Sequence, residues 1–401
     1  MNILFLTILK IDIEQSHIYS DLMRKFRAEG HNLYIMYPNE RRLELPTRLS
    51  FDNGVRILEV KTLNVTKCSI LEKGIGQLSL EFLFLRAFKK YFSDVTFDLV
   101  LYSTPPITFN KVIKAAKAKG NAVSYLLLKD IFPQNAVDLG MMKKTGAKGV
   151  LYHMFRRKEK ELYRISDYIG CMSPANVDFL LKHNPEISAD KVEIAPNSYD
   201  VPLEREKRRE GKEIREKYGL PTDIPIFIYG GNMGKPQGIP FFIECMKAVK
   251  DREDCHFVIV GDGTEYAKLE SFVNDCHPEA VSVFRQLPKE DYDQLASSCD
   301  VGLIFLDYRF TIPNYPSRLL PYLMERKPII AVTDPNCDTG TLAQQNGYGY
   351  YCPSNSVEAF VKTIDKMLVS DMQQMGKNGF RFFLNNYTTE HTYRAIINHL
   401  K

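Results

Sequence analysis

Residues 225–249 read PIFIYGGNMGKPQGIPFFIECMKAV, and this stretch decides the fold. Ile226 to Gly230 is a short apolar run of the kind buried on both faces of a sheet. Gly230, Gly231, Gly234 and Gly238 break it. Ile239, Phe242, Ile243, Met246 and Val249 then recur at helical spacing. A strand, a glycine loop and a helix, in that order, offer loop N–H groups and a helix N-terminus to an anion, and glycine lets phosphate approach closely. The same residues also suit a βα turn that holds no ligand. The surrounding chain has to choose.

Downstream, the spacing predicts strands at 256–260, 281–284, 301–305 and 328–332, with helices at 239–250, 264–276, 289–298, 317–325 and 339–346. Upstream, it predicts strands at 3–6, 33–37, 55–60, 99–102, 123–128 and 168–172, with a helix at 18–28 and others between. Strands that alternate with helices make a parallel sheet covered on both faces. Between the halves lies APNSYDVPLEREKRREGKEIREKYGLPTD, where Pro196, Pro202 and a dense charge run mark a boundary near 198–212. The expected fold is therefore α/β, two doubly wound Rossmann-like domains: 1–200 and 201–375. Helices at 371–386 and 389–400, rich in Phe380, Phe382, Phe383 and Tyr387, need a core. Residues 376–401 are expected to cross back to the first domain.

Ligands of such sheets sit beyond the carboxyl ends of the strands. That rule singles out Asp130, directly after the strand 123–128, and His17, in the loop after the first strand. Asp130 reads either as a helix cap or as a carboxylate that orients a hydroxyl or stabilises positive charge at a sugar carbon. His17 reads either as structural or as part of the same crevice. In the second half, Gly261 stands in a VGDG turn, and Gln286 and Leu287 follow a strand where backbone groups meet a flat base. Ser317 and Arg318 open a helix, where a guanidinium favours a diphosphate; Ser317 alone also reads as an N-cap.

Composition narrows the classes. A chain of 401 residues at 44% hydrophobic and 25% charged is globular and too long for one ordinary core. A net charge of +4 gives no reason to expect a nucleic-acid partner. The eight cysteines are scattered singly, without metal-ligand spacing, and read as reduced cytosolic thiols. MNILFLTIL lacks a basic n-region and fits a buried first strand, and no apolar run reaches membrane-spanning length. Residues 74–92 and 141–164 are basic and amphipathic; they read as solvated helix faces or as contacts for an anionic membrane surface. Paired carboxylates at hydrolase spacing, a Ser-His-Asp elbow and a metal cluster are not evident.

Together, GGNMGKPQG, VGDG, PSRLLPYLMERKP and the late crossing helix resemble the GT-B glycosyltransferases of the retaining family 4 group. HIYSDLMRKFRAEGHNLYIMYPNERR and KDIFPQNAVDLGMM are similar to the opening and mid-domain motifs of its WbuB-like members, which build bacterial capsule and O-antigen. The resemblance covers nearly the whole chain and rests on the order and spacing of the motifs. It implies two domains facing a central cleft and retaining transfer of a sugar from a nucleotide-diphosphate donor, a UDP-sugar, without metal or cofactor. A glycan or lipid-linked acceptor and a cytoplasmic place, peripheral on the inner membrane face, follow from it. By motif, it places Gly231, Asn232 and Gly234 at the donor phosphates or the acceptor side of the cleft, Gln286 and Leu287 at the base, and Ser317 and Arg318 at the diphosphate, with Lys235 and Arg309 as further phosphate cations and Gly261 also on the donor. Asp130, with His17, stands near the reacting carbon.

The chain departs from the pattern in places. Pro313 and Pro321 occupy the positions of two glutamates found in many relatives, Gln237 stands where a lysine is common, and the first loop lacks a glycine pair. These departures motivate an alternative, a catalytically weakened nucleotide-sugar-binding partner of another transferase. A phosphorylase-like enzyme with pyridoxal phosphate is a third reading that the short chain disfavours.

Overall fold

The computed structural model describes residues 1–65, 70–146, 149–201 and 211–400. It forms two compact units, Met1–Asp200 with Tyr387–Lys401, and Val201–Asn386.

The first unit runs β1 (Asn2–Leu6), α1 (Ile18–Ala28), β2 (Asn32–Glu40), β3 (Arg48–Asp52), β4 (Val55–Thr62), α2 (Ile70–Tyr91), β5 (Leu99–Ser103), α3 (Asn110–Lys117), β6 (Val123–Leu128), α4 (Gln134–Asp138), α5 (Gly149–Ile165), β7 (Tyr168–Cys171), α6 (Pro174–His183) and β8 (Val192–Ile194). The strands form one sheet in the order β3-β4-β2-β1-β5-β6-β7-β8. The reason β1 reads as a continuous apolar run is visible in its alternation. Ile3 and Phe5 enter the core beneath α1, while Leu4 and Leu6 enter the core beneath α2 and α3. Of the ladders in this sheet, β3 with β4 is antiparallel, and β3 was not anticipated. Leu49 and Phe51 are exposed on this edge, so no buried face imprints a period on the sequence. Only the Asn53–Gly54 turn, with φ of +46° and +82°, marks the hairpin.

The second unit runs α7 (Lys212–Lys217), β9 (Ile226–Gly230), α8 (Ile239–Val249), β10 (His256–Val260), α9 (Tyr266–Cys276), β11 (Val281–Phe284), α10 (Lys289–Ser298), β12 (Val301–Phe305), α11 (Leu319–Met324), β13 (Ile329–Thr333), α12 (Thr339–Gln345), β14 (Gly349–Pro353), α13 (Val357–Leu368) and α14 (Met372–Asn386). Its parallel sheet has the order β11-β10-β9-β12-β13-β14. The sequence GYYCP hides β14, because a glycine, a proline and half-buried tyrosines imitate a loop.

The return to the first unit begins at Tyr387 and not at 376. Gly376 and Gly379 explain the difference. A Cβ at Gly376 would overlap the carbonyl of Arg326, and one at Gly379 would lie 2.9 Å from Leu323, so α14 is seated directly on α11 and the turn after it. Phe382 meets Tyr348 there, with ring centroids 5.0 Å apart. Only α15 (Thr389–Ile397) belongs to the first unit. Tyr393 packs edge-on to Phe26 at 5.0 Å and bonds His31 Nε2 at 3.1 Å, and Glu390 pairs with Lys25 at 2.7 Å. Beyond the helix, His399 stacks on Tyr168 at 3.6 Å.

Candidate functional site

The strand order of the second unit reverses between β9 and β12, the place where open α/β sheets form a crevice. The two strands pair only at Val301↔Phe227 and Gly302↔Ile228, whereas β9 and β10 pair along five residues. Beyond Ile228 they part, and Tyr322 of α11 fills the gap. Its ring lies on Gly302, where a Cβ would overlap it. Its hydroxyl donates to Ile228 O at 3.1 Å and accepts the Gly230 N–H at 3.2 Å. The backbone groups released by the parting strands are thus satisfied by one phenol.

Arg318 stands one helical turn before Tyr322, on the same side of the segment. Its guanidinium carbon lies 4.3 Å from the Tyr229 ring centroid. A Cβ on Gly231 would come within 3.2 Å of Nη2, so the glycine turn passes directly over the guanidinium. Nη1 is buried and has no hydrogen-bond partner among the described residues. The Tyr229 hydroxyl takes a hydrogen bond from the guanidinium, but Nη1 is held out of water without an acceptor, and a bound anion would relieve that cost.

The glycine turns explain how this approach is possible. Gly261 has φ of +158°, and a Cβ there would overlap the Gly231 carbonyl oxygen. The Gly231 N–H donates to Val260 O at 2.9 Å and the Met233 N–H to Asp262 O at 3.0 Å, so the turns after β9 and β10 lie against each other. Gly231 and Asn232 face solvent, as does Lys235. Gln237 has a different role from the lysine common at its position: buried, it accepts the Asn232 Nδ2 amide at 3.1 Å and the Gly234 N–H at 3.0 Å. Asn232 and Gly234 are therefore occupied within the loop. The start of α8 is not the open anion seat expected from the sequence, since Gly238 abuts Asp307 and Pro240 brings no N–H. The open face belongs to Gly231 and Arg318.

Other expected residues sit elsewhere. Ser317 is exposed and is not the cap of α11, which starts at Leu319 and has six residues, too few for a substantial dipole. Arg309 forks onto Asp307 at 2.9 and 2.8 Å. Burial opposes ionisation of Asp307, but the Arg309 hydrogen bonds outweigh it and hold the carboxyl below its usual pKa. Arg309 is thus already paired, unlike Arg318. Gln286, exposed, and Leu287, half-buried, follow β11 at the sheet edge, two strands from β9. Pro321 is exposed on α11 and Pro313 is buried. The residues that sequence reasoning missed are Tyr229, Tyr292 and Tyr322. The glycine in mid-strand at 302 is the signal for Tyr322, since it marks a close approach.

In the first unit the reversal falls between β1 and β5. Asp130 follows β6, and its N–H and that of Lys129 donate to Thr104 Oγ1 at 3.2 and 3.0 Å. Its charge faces the buried hydroxyl of Tyr19, whose pKa is pushed up to about 12, mainly by burial. His17 caps α1: its Nδ1 accepts the Tyr19 N–H at 3.4 Å. Burial lowers its pKa against the pull of Asp21, so the ring is neutral with its proton on Nε2. With Nδ1 engaged, a general-base role is closed to it in this arrangement.

Lys129 points back towards the core, its Nζ donating to Ala195 O at 3.2 Å, and burial brings its pKa down to about 7 from 10.5. The folded value lies below the unfolded one. The unfolded chain therefore binds more protons between pH 7 and 10.5, and stability rises with pH across that window. Lys129→Met should stabilise the fold more at pH 6 than at pH 9, by about 3 kcal/mol in denaturant titrations.

The profile of the family described as glycosyl transferases group 1 matches residues 210–382, the second unit with the glycine turns and Arg318. These residues form a group 1 glycosyl transferase domain. Through it the chain is a glycosyltransferase, and its two parallel-sheet units have the GT-B fold. It is 24% identical to the glycosyltransferase WbjE of Pseudomonas aeruginosa over 312 residues, 77% of this chain and 75% of that one. It is 27% identical to the colanic acid biosynthesis glycosyl transferase WcaI of Escherichia coli K12, over 39% of this chain and 38% of that one. The solved structure of Anabaena HepE with UDP-glucose superposes with a TM-score of 0.67 at 13% identity, over 100% of this chain and 99% of HepE. Among the described residues, no helix of the glycosyltransferase is long and apolar enough to cross a membrane.

Proposed function

We propose that the glycosyltransferase is retaining and moves a sugar from a UDP-sugar to a glycan or lipid-linked acceptor in bacterial surface polysaccharide synthesis, in the manner of capsule and O-antigen enzymes. The observation that carries the donor half is the buried, unpartnered Arg318 Nη1 beneath the Gly231 turn. Sugar transfer from such a donor develops charge on the departing diphosphate, and a fixed cation in a dry site stabilises that charge more than it stabilises the intact donor. Gly231 N–H already serves Val260, so the turn contributes its lack of a side chain, and the guanidinium contributes the charge. Retention proceeds by departure of the diphosphate while the acceptor hydroxyl attacks the same face, the departing phosphate taking its proton. Asp130 is assigned to orienting that hydroxyl or stabilising the positive sugar carbon, and Lys235 to a second, exposed phosphate contact.

The acceptor half and the membrane contact rest on α5. This helix exposes Val150 and Leu151 at its start. Further along, Arg157, Lys160, Arg164 and Lys191 outnumber Glu161 and Glu186 in the lining of a cavity of about 530 Å³, with Lys160 paired to Glu186 at 3.0 Å. Exposed apolar side chains and a net basic surface on one helix suit an anionic inner-membrane face.

The test is release of nucleoside diphosphate from a panel of UDP-, GDP- and ADP-sugars with lipid-linked acceptors. Turnover with one pair supports the proposal. UDP binding without turnover on any acceptor favours the weakened-partner reading, which the exposed Pro321 in place of a carboxylate motivates. Asp130→Asn is expected to lower turnover 10- to 100-fold, roughly the size of one positioned polar group, with donor affinity unchanged. Full turnover in that variant would reduce Asp130 to a loop residue.

A further inference from the structure

Tyr292 of α10 brings a phenol into the Arg318 surroundings whose hydroxyl is bonded by none of the described residues. Three tyrosines meet there. Tyr229 lends its ring to the guanidinium, and its hydroxyl donates to Asn232 O at 2.7 Å. Tyr322 spends its hydroxyl on Ile228 O and the Gly230 N–H. The Tyr292 hydroxyl rests against Gly230, where a Cβ would overlap it, and has no hydrogen-bond partner among the described residues. Gly230 thus admits a phenol just as Gly231 admits the guanidinium: two adjacent glycines, each giving room to a different polar end. Burial, opposed in part by Arg318, pushes the Tyr292 pKa up to about 12, so the phenol keeps its proton at neutral pH and remains a donor.

We propose that Tyr292 is a second donor to the anion held by Arg318, its O–H binding a non-bridging oxygen of the departing diphosphate. This rests on the reading of Arg318 as the diphosphate site. The pair divides the work by chemistry. Arg318 supplies charge, and Tyr292 supplies a directed hydrogen bond that fixes which oxygen the charge meets. A phenol is suited to that place because its six-membered ring reaches Gly230 from α10 without bringing a second cation into a buried site, where like charges would repel.

The experiment is calorimetric titration of the full chain with inorganic pyrophosphate, UDP and uridine, for the wild type, Tyr292→Phe, Arg318→Ala and the double variant. Phenylalanine keeps the packing, and a thermal melt of each variant confirms a native fold. Tyr292→Phe is expected to weaken pyrophosphate and UDP binding 5- to 10-fold and to leave uridine unchanged. In the Arg318→Ala background the same change is expected to cost less than twofold, because the two donors share one oxygen-bearing group. A Tyr292→Phe variant that binds pyrophosphate as the wild type does, while Arg318→Ala loses it, overturns the inference and leaves the Arg318 site standing. A wild type that binds UDP but shows no loss in Arg318→Ala overturns both. Equal losses for uridine and UDP in Tyr292→Phe place the phenol at the base and also overturn the inference.

Discussion

Arg318→Ala loses nucleoside diphosphate affinity by two to three orders of magnitude and melts at or above the temperature of the wild type. The two halves of this expectation come from one geometry. The guanidinium is stacked on Tyr229 and hydrogen-bonds its hydroxyl, while Nη1 is buried and unpartnered among the described residues, so without ligand the desolvation cost is met at the ring and left unmet at Nη1. Its removal takes away that cost along with some packing, and the net change in stability is near zero or favourable. With ligand bound, the same removal leaves a diphosphate without its buried counter-charge, a loss of about 3–4 kcal/mol. Calorimetry with UDP and a melting curve check both. A large drop in melting temperature with unchanged affinity would make Arg318 a structural residue. Arg318→Lys should recover only part of the affinity, since an ammonium on a flexible stem has neither the flat face that stacks on Tyr229 nor the fork.

Gly261→Ala is the most damaging single change expected outside the cores. At φ of +158° an alanine is strained whatever space it has, and here the methyl would overlap the carbonyl oxygen of Gly231. Relief requires the turns after β9 and β10 to separate. That breaks the Gly231–Val260 and Met233–Asp262 bonds and lifts Gly231 away from Arg318. Strain and two lost backbone bonds together come to about 4 kcal/mol or more. Denaturant titration should show the loss, and any folded fraction should bind UDP poorly. Gly219→Ala is the control: it also has positive φ, but nothing lies within 4 Å of its Cβ, so it should cost about 1 kcal/mol and spare binding.

How much of this was legible in the sequence depended on whether the residues carried a period or a covalent rule. β9, β10, β11, β12 and α10 fell where the spacing placed them; β9, β10 and β12 did so because both of their faces are buried. β3 and β14 escaped, one for want of a buried face and the other because tyrosines and a proline stand in it. Arg318 was singled out from its place at the start of a helix after a polar, proline-rich loop. Its surroundings were not, since Tyr229 and Tyr292 come from a strand and a helix 63 positions apart, a distance no local pattern spans. The helix-end argument for the glycine loop did not transfer, because Gly238 and Pro240 close the start of α8. Nor did Arg309 remain free: Asp307 lies two residues away, and the sequence does not say whether neighbours of opposite charge meet each other or a ligand.

The chain of the second unit is threaded into the first as an insert, leaving at Asp200 and re-entering at Tyr387, where the Tyr199 N–H donates to Tyr387 O at 3.0 Å. A gene fragment ended at codon 200 would lack the plug made by Tyr393 and Ile396 and would display a greasy slot lined by Phe26. Recombination between relatives, natural or engineered, therefore needs two crossovers, near 201 and 386, to exchange one second unit for another while the host keeps its own residues from 387 onward.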